Sequence, residues 1–357
     1  SVDSIVCDPP YGLSFMDKRW DHGVPGVEFW EAALRVAKPG CHLLAFGGTR
    51  TSHRLTVAIE DAGWEIRDCL MWVYGSGFPK SHNLQGEWQG WGTALKPAYE
   101  PIILARKPLS GTLAANVLEH GTGGINVDGC RVGEEERYNP PASPTSASRT
   151  SRVVAGYRHD DGIGPGSDGS TVTGRWPANL IHDGSDEVLG LFPQTTSGAN
   201  PTRRNVAKFQ NVYGEFAGQK DCTAVRGVDS GSAARFFYCA KASRLDRNEG
   251  LPSNPNPAVS TGATMRDLEN ADWQSRNGNH HPTVKPTDLM RYLCRLVTPP
   301  NGLVFDPFTG SGSTGKAALL EGLRFVGAEL SPEYIEIARA RIGHAAGKTR
   351  QKELALA

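Results

Sequence analysis

Short β-branched runs alternate with amphipathic helical patterns at both ends of this chain, and the alternation breaks in the middle. No other feature of the sequence constrains the fold as much. From Ser1 to about Pro108 the runs "DSIVCD", "HLLAFGG", "EIRDCLMWVYG" and "EPIILARKP" are interleaved with the helical patterns "GVEFWEAALRVAKPG" and "RTSHRLTVAIEDAG". The first helix is expected to stop at Pro39-Gly40. From His280 the rhythm returns as helix "PTDLMRYLCRLV", strand "GLVFDPF", loop "TGSGST", helix "GKAALLEG", strand "LRFVGAEL" and helix "SPEYIEIARARI". Strands alternating with helices imply an α/β fold, a mostly parallel sheet covered on both faces.

Between these ends, from about Leu109 to Asn279, "GEEERYNPPASPTSASRTSR" and "DDGIGPGSDGSTVTG" read as long loops or disorder. The islands "GRWPANLIHD" and "ARFFYCAKAS" interrupt them. The simplest architecture is one sheet built from both ends of the chain, with the middle region emerging from it. The divisions expected are 1–108, 109–279 and 280–343, with a polar tail at 344–357 that frays.

At 357 residues the chain buries a core easily. Its 38 basic and 38 acidic residues cancel, so bulk charge neither demands nor excludes a polyanionic partner. Seven scattered cysteines, none in a C-x-x-C pair, argue against a disulfide framework or a zinc site and for a reducing, cytoplasmic setting. No apolar run reaches the ~18 residues of a membrane span. The chain starts without Met and almost directly in a strand, as a fragment or processed product would.

The first strand stops abruptly. In "SIVCDPPYGLSF" a buried-type run meets an acid, two prolines and a tyrosine. Proline removes the backbone donor and fixes φ, so the strand cannot continue. Asp-Pro is also a common turn former. Near the other end, "GSGSTGKA" almost matches a phosphate-binding loop, G-x-x-x-x-G-K-[ST]. The position that must hold Mg²⁺ through a hydroxyl is Ala317, which argues against an NTPase. A glycine-rich turn admitting another nucleotide-like cofactor fits better, because Gly310 and Gly312 let the backbone approach a ligand. Glu329 follows Gly310 by 19 residues, where a ribose-binding acid is expected. An acid before "SPEY" would also suit a helix N-terminus.

Taken together, "DPPY" early and "FDPFTGSGST" with "VGAEL" late resemble the amino-group DNA methyltransferases that use S-adenosylmethionine. The order is that of their β-group, in which a target-recognition region separates the two halves. "HPTVKP" (281–286) and "KPAYEPIILARKP" also resemble that family. The resemblance covers both α/β ends, about half of the chain. It implies a Rossmann-like, mostly parallel, seven-stranded-type sheet in circularly permuted order, with an irregular inserted recognition region. It implies catalytic roles for Asp8, Pro9, Pro10 and Tyr11. It implies cofactor contacts from Asp306, Phe308, Gly310, Gly312, Thr314, Glu329, Thr283 and Lys285. In the middle region Arg175, Arg203 and Arg204 are expected to bind DNA.

Chemistry explains the tetrapeptide. An exocyclic base amine is a poor nucleophile because its lone pair is delocalised. Asp8 can accept one N–H and the Pro9 carbonyl the other, favouring a pyramidal nitrogen that attacks a sulfonium methyl. Tyr11 offers a face on which a base flipped from the duplex can stack. Trp72, Trp91, Tyr74 and Tyr99 are assigned to packing rather than to base contacts. The family normally carries one more strand before the tetrapeptide, with an acid for the cofactor's adenine. That edge strand is missing here, so the pocket is expected to have an open wall or the chain to be truncated.

The implied function is site-specific methylation of adenine N6 in double-stranded DNA. Cytosine N4 is the close rival, though Asp8 in place of Ser favours adenine. A DNA-binding module with an impaired cofactor site is the alternative from another class. A homodimer is allowed for; a membrane role and a bound metal are not expected.

Overall fold

The computed structural model describes residues 1–13, 21–77, 79, 81–139, 170–197, 209–211, 214–216, 229–240, 244–251 and 279–356. The strands are β1 Val2–Cys7, β2 Ala37–Phe46, β3 Glu65–Val73, β4 Tyr99–Arg106, β5 Val132–Asn139, β6 Ser170–Arg175 and β7 Leu180–His182. They continue with β8 Gln194–Ser197, β9 Phe209–Asn211, β10 Gly214–Phe216, β11 Asp229–Ser232, β12 Tyr238–Cys239, β13 Leu303–Asp306 and β14 Arg324–Gly327. The helices are α1 Val27–Val36, α2 Ser52–Asp61, α3 Leu113–His120, α4 Asp186–Leu189, α5 Arg244–Asn248, α6 Thr287–Val297, α7 Ser313–Leu320 and α8 Pro332–Leu356.

Two compact units result: one of Ser1–Cys130, Pro177–Leu189 and Phe237–Ala357, the other of Arg131–Trp176 and Gly190–Phe236. The first contains an eight-stranded sheet in the order β12-β7-β3-β4-β2-β1-β13-β14. Every neighbour pair is parallel except those made by β4, which runs antiparallel to β2 and β3. Alternation along the central strands sends side chains to both faces. Val6, Leu44, Phe46 and Leu104 pack with Leu289, Leu293 and Ala317 of α6 and α7. Ile5, Cys7, Leu43 and Ile103 pack with Trp30, Leu55 and Ile59 of α1 and α2. Helices therefore cover both faces of the sheet, and the α/β class inferred from the two rhythms, with the Rossmann-like sheet that the resemblance implies, is the observed one.

Several boundaries differ from expectation. Pro39-Gly40 lies inside β2 and does not end α1, which stops at Val36. Gly40, at φ +74, donates back to the Lys107 carbonyl, and the Pro39 carbonyl accepts from Asn116 and Thr122. The step is thereby built into a bulged strand start. The islands at 174–183 and 234–243 supply β7 and β12, which extend the main sheet beyond β3. Residues 109–130, including α3, also belong to the first unit, so this unit crosses the division expected at 109–279. Two stretches read as loop contain the paired strands β5 and β6, where Thr171, Val172 and Thr173 provide β-branched side chains. The tail does not fray at Gly343, because α8 runs on to Leu356. No described helix is long and apolar enough to cross a membrane.

Candidate active site

β1 and β13 lie side by side and parallel, with Ile5 paired to Phe305, so both of their Asp-Pro endings emerge on the same rim of the sheet. The buried Asp3 ties the strands together at their start, accepting from the Leu303 N–H at 2.6 Å and pairing with Lys38.

At the end of β1, Asp8 is surrounded by donors. Lys285 reaches its Oδ2 at 2.8 Å and the Tyr11 hydroxyl its Oδ1 at 3.0 Å. A second carboxylate, Glu100 near the start of β4, lies 2.8 Å from the Tyr11 hydroxyl and 3.1 Å from Lys285 Nζ. Burial works against the Lys285 ammonium, but Asp8 and Glu100 outweigh it and hold its pKa above the ordinary value. Burial, followed by the same two carboxylates, pushes the Tyr11 phenol well up. Lys285 Nζ also lies 4.8 Å from the Phe46 ring centroid and 5.4 Å from that of Tyr11. Pro9 is buried, and Pro10 is half-buried.

At the end of β13, Asp306 has a different setting. It is buried, and its partners are neutral: the Phe308 N–H at 3.0 Å and the Thr314 hydroxyl. Burial pushes its carboxyl up to about 7 against those two donors, with Asp8 and Glu329 adding to the rise. Cys7, the last residue of β1, feels both acids. Its thiol is pushed up by burial, then by Asp306 and Asp8.

Glu329, beyond β14, clasps the glycine loop. One oxygen accepts the Gly310 N–H at 2.7 Å and the other the Ser331 N–H at 2.9 Å. Gly310 adopts φ +51, and a Cβ there would come within 2.8 Å of His281 Nε2. Gly312 adopts φ +79, but a Cβ there would meet the backbone of α8 at Ala338, 2.9 Å away. Its lack of a side chain thus lets the loop pack against α8. Phe308 packs toward Trp30, centroids 6.0 Å apart.

"HPTVKP" joins the two strand ends. His281 rests against Gly310 and meets Tyr334 edge-on at 4.4 Å, while Lys285, four residues later, sits on Asp8. Lys285 therefore belongs to the β1 end, although it was expected to contact the cofactor. Thr283 turns its carbonyl and N–H toward His281 Nδ1. Burial lowers the His281 pKa to about 4, with Lys285, Arg247 and Arg341 contributing and the Thr283 carbonyl opposing. Arg247 holds the segment from behind, donating to the His281 carbonyl at 2.6 Å.

Lys316, the would-be phosphate lysine, is buried and pairs with Asp246 and, at 2.7 Å, with Glu249. Arg341, fully buried under the loop, donates to the Ser311 carbonyl at 2.6 Å. The loop's lysine is thus held by two carboxylates of the chain.

In the second unit Arg175 is bound up internally. It pairs with Asp229 and Glu135 and lies 4.3 Å over the Phe236 ring. Its charge is paired within this unit, where the sequence reading expects it to bind DNA. Arg203 and Arg204 lie outside the described residues. Trp72 is buried and Tyr74 packs against the core, but Trp91 is 62% exposed, in an edge-on pair with Trp88. Glu100 was not singled out from the sequence. It lies inside "KPAYEP", but nothing local marks which acid of a strand turns toward a lysine far along the chain.

Comparison with known proteins decides the family. A profile described as DNA methylase, covering the N6 and N4 enzymes, matches residues 2–340. The chain belongs to the DNA methylase family. The Type II methyltransferase M.HindIII of Haemophilus influenzae is 31% identical over 116 residues, 28% of this chain and 38% of that protein. The DNA adenine methyltransferase YhdJ of Escherichia coli K12 is 38% identical over 63 residues, 18% of this chain and 21% of that protein. This family member therefore spans under two fifths of the length of these relatives. The structure of the cytosine-N4-specific PvuII DNA methyltransferase aligns with a TM-score of 0.43 at 12% identity, over 98% of this chain and 86% of that one.

Proposed function

We propose that this DNA methylase family member transfers a methyl group from S-adenosylmethionine to the exocyclic N6 of an adenine flipped out of double-stranded DNA, at a specific site and in the cytoplasm. The observation that carries the reading is the placement of Asp8 and the Gly310 loop on the ends of adjacent parallel strands. A base amine and a methyl donor bound at those two ends would meet.

The β13 end fits the donor. Glu329 accepts one bond at each oxygen, from Gly310 of the loop and from Ser331, and a carboxylate with about four acceptor sites keeps room for two ribose hydroxyls. Asp306, Phe308, Thr314 and the Gly310 turn would frame the rest of the pocket, and the bound donor would supply an electrophilic methyl on a sulfonium. At the β1 end, Asp8 and the Pro9 carbonyl would accept the two amine hydrogens, and Tyr11 would support the base. Adenine is favoured by Asp8 at the first position, and YhdJ, a relative matched in part, is named for adenine. The middle region, 109–279, would read the sequence.

The test is transfer of radiolabelled methyl from S-adenosylmethionine to duplexes containing dA or dC in an otherwise matched context. Label in dA supports the reading, and label only in dC moves the reaction to cytosine N4. Binding of DNA without any binding of cofactor would leave a recognition module.

A further inference from the structure

The cluster at the end of β1 contains two carboxylates and one ammonium. Lys285 is only 6% exposed, so little water separates its charge from Asp8, 2.8 Å away. An ammonium at that distance orients the carboxylate, but it also cancels the charge at the place where a methyl acceptor becomes positive. Glu100 lies 3.1 Å from the same ammonium and shares the Tyr11 hydroxyl with Asp8. The group as a whole therefore keeps one formal negative charge.

We propose that Glu100 is a positioning residue that neutralises Lys285, so that Asp8 is held by the lysine without being cancelled by it. The inference rests on the methyl-transfer reading. In that reaction the amine lone pair forms the new N–CH₃ bond while the S–CH₃ bonding pair stays on sulfur, leaving a neutral thioether. Positive charge therefore moves to nitrogen, until the surplus N–H proton passes to Asp8 and on to water. A net negative cluster stabilises that shift, and a neutral one does not. With charges ~6 Å apart in a partly screened interior, loss of the Glu100 charge corresponds to about a 10²-fold loss in rate. Lys285 accounts for the rest of the arrangement. It lies four residues from His281, which rests on the Gly310 loop, so one short segment aligns the acceptor end with the donor end.

The experiment compares the full chain with Glu100→Gln and with the double variant Glu100→Gln/Lys285→Met. Glutamine keeps the shape and a hydrogen bond to Tyr11 while removing the charge. Glu100→Gln should lower kcat about 10²-fold with KM for DNA nearly unchanged, and the double variant should recover at least tenfold of that loss. Binding supplies a readout independent of turnover. Sinefungin carries an ammonium near the position of the transferred methyl, whereas S-adenosylhomocysteine is neutral there. The wild type should prefer sinefungin about tenfold or more, Glu100→Gln should erase the preference, and the double variant should restore it. Wild-type kcat in Glu100→Gln, an unchanged sinefungin preference, or a double variant no better than the single would each overturn the proposal. A wild type that methylates no DNA defeats the functional reading instead, and the sinefungin preference still decides the charge balance.

Discussion

The ends of β1 and β13 carry the same dipeptide, Asp-Pro, on neighbouring parallel strands, yet their aspartates are held in opposite ways. Asp8 sits against a cation, with a second carboxylate beyond it. Asp306 is buried among neutral donors, and its carboxyl is pushed up to about 7. A carboxylate with a charged partner can stay charged and accept from an amine. One without such a partner shapes a pocket at little cost in its neutral form. Sequence motif alone does not separate the two cases; the partner does.

The sharpest break of this contrast is Asp8→Ala. Losing an acceptor aimed at the developing charge should cut methyl transfer about 10²- to 10³-fold while cofactor affinity, measured by calorimetry, stays near wild type. Near-normal turnover would reduce the tetrapeptide to a turn.

Lys316→Met makes a paired carboxylate resemble Asp306 by leaving Asp246 with the neutral donors of Thr287. Removing one partner of a buried pair should cost about 3 kcal/mol in urea-unfolding stability. An unchanged midpoint would show that the pair is not structural.

Asp306→Asn tests the other arm through pH. The folded carboxyl keeps its proton to about 7, above the unfolded value of 3.8. The folded state thus holds a proton that the unfolded chain has released, and this contribution to stability falls as pH rises from about 4 to about 7. His281, lowered to about 4, acts in the opposite direction, losing stability as pH falls below about 6.5. The two partly cancel in the wild type. The difference in stability between wild type and Asp306→Asn isolates the first, and it should fall by about 2–3 kcal/mol between pH 5 and 7. A flat difference would show that Asp306 is ionised in the fold.

The smallest effect belongs to Glu329→Ala, which should weaken S-adenosylmethionine binding by about 1–2 kcal/mol through lost hydrogen bonds. The same variant should leave the Asp8 end intact, so kcat at saturating cofactor should change little. A large fall in kcat would mean that the two strand ends are not separable.

Part of the proposed site could be read from residues in order. A strand that stops on Asp-Pro, a glycine turn and an acid 19 residues on are local patterns with local causes, and they point to Asp8, the Gly310 loop and Glu329. Less legible were Lys285, placed with the cofactor and found on Asp8, and Gly312, whose missing Cβ makes room for Ala338. Arg175 looked like a free cation in a polar stretch until Asp229 and Glu135 appeared beside it. The sheet's far side was hidden for a related reason. β7 and β12 are three and two residues long, too short to show any period, and only pairing with β3 and with each other makes them strands.

Alternation of strand and helix, the order of the two halves and the Asp-Pro ending of each of the two strands were determined by the sequence itself, because backbone propensity and side-chain periodicity act over a few residues. The charge balance around Asp8 was decided only in three dimensions. Glu100 and Lys285 come from segments far apart in the chain, and electrostatic energy depends on the distance between charges in space and the water excluded from between them, neither of which is written along the sequence.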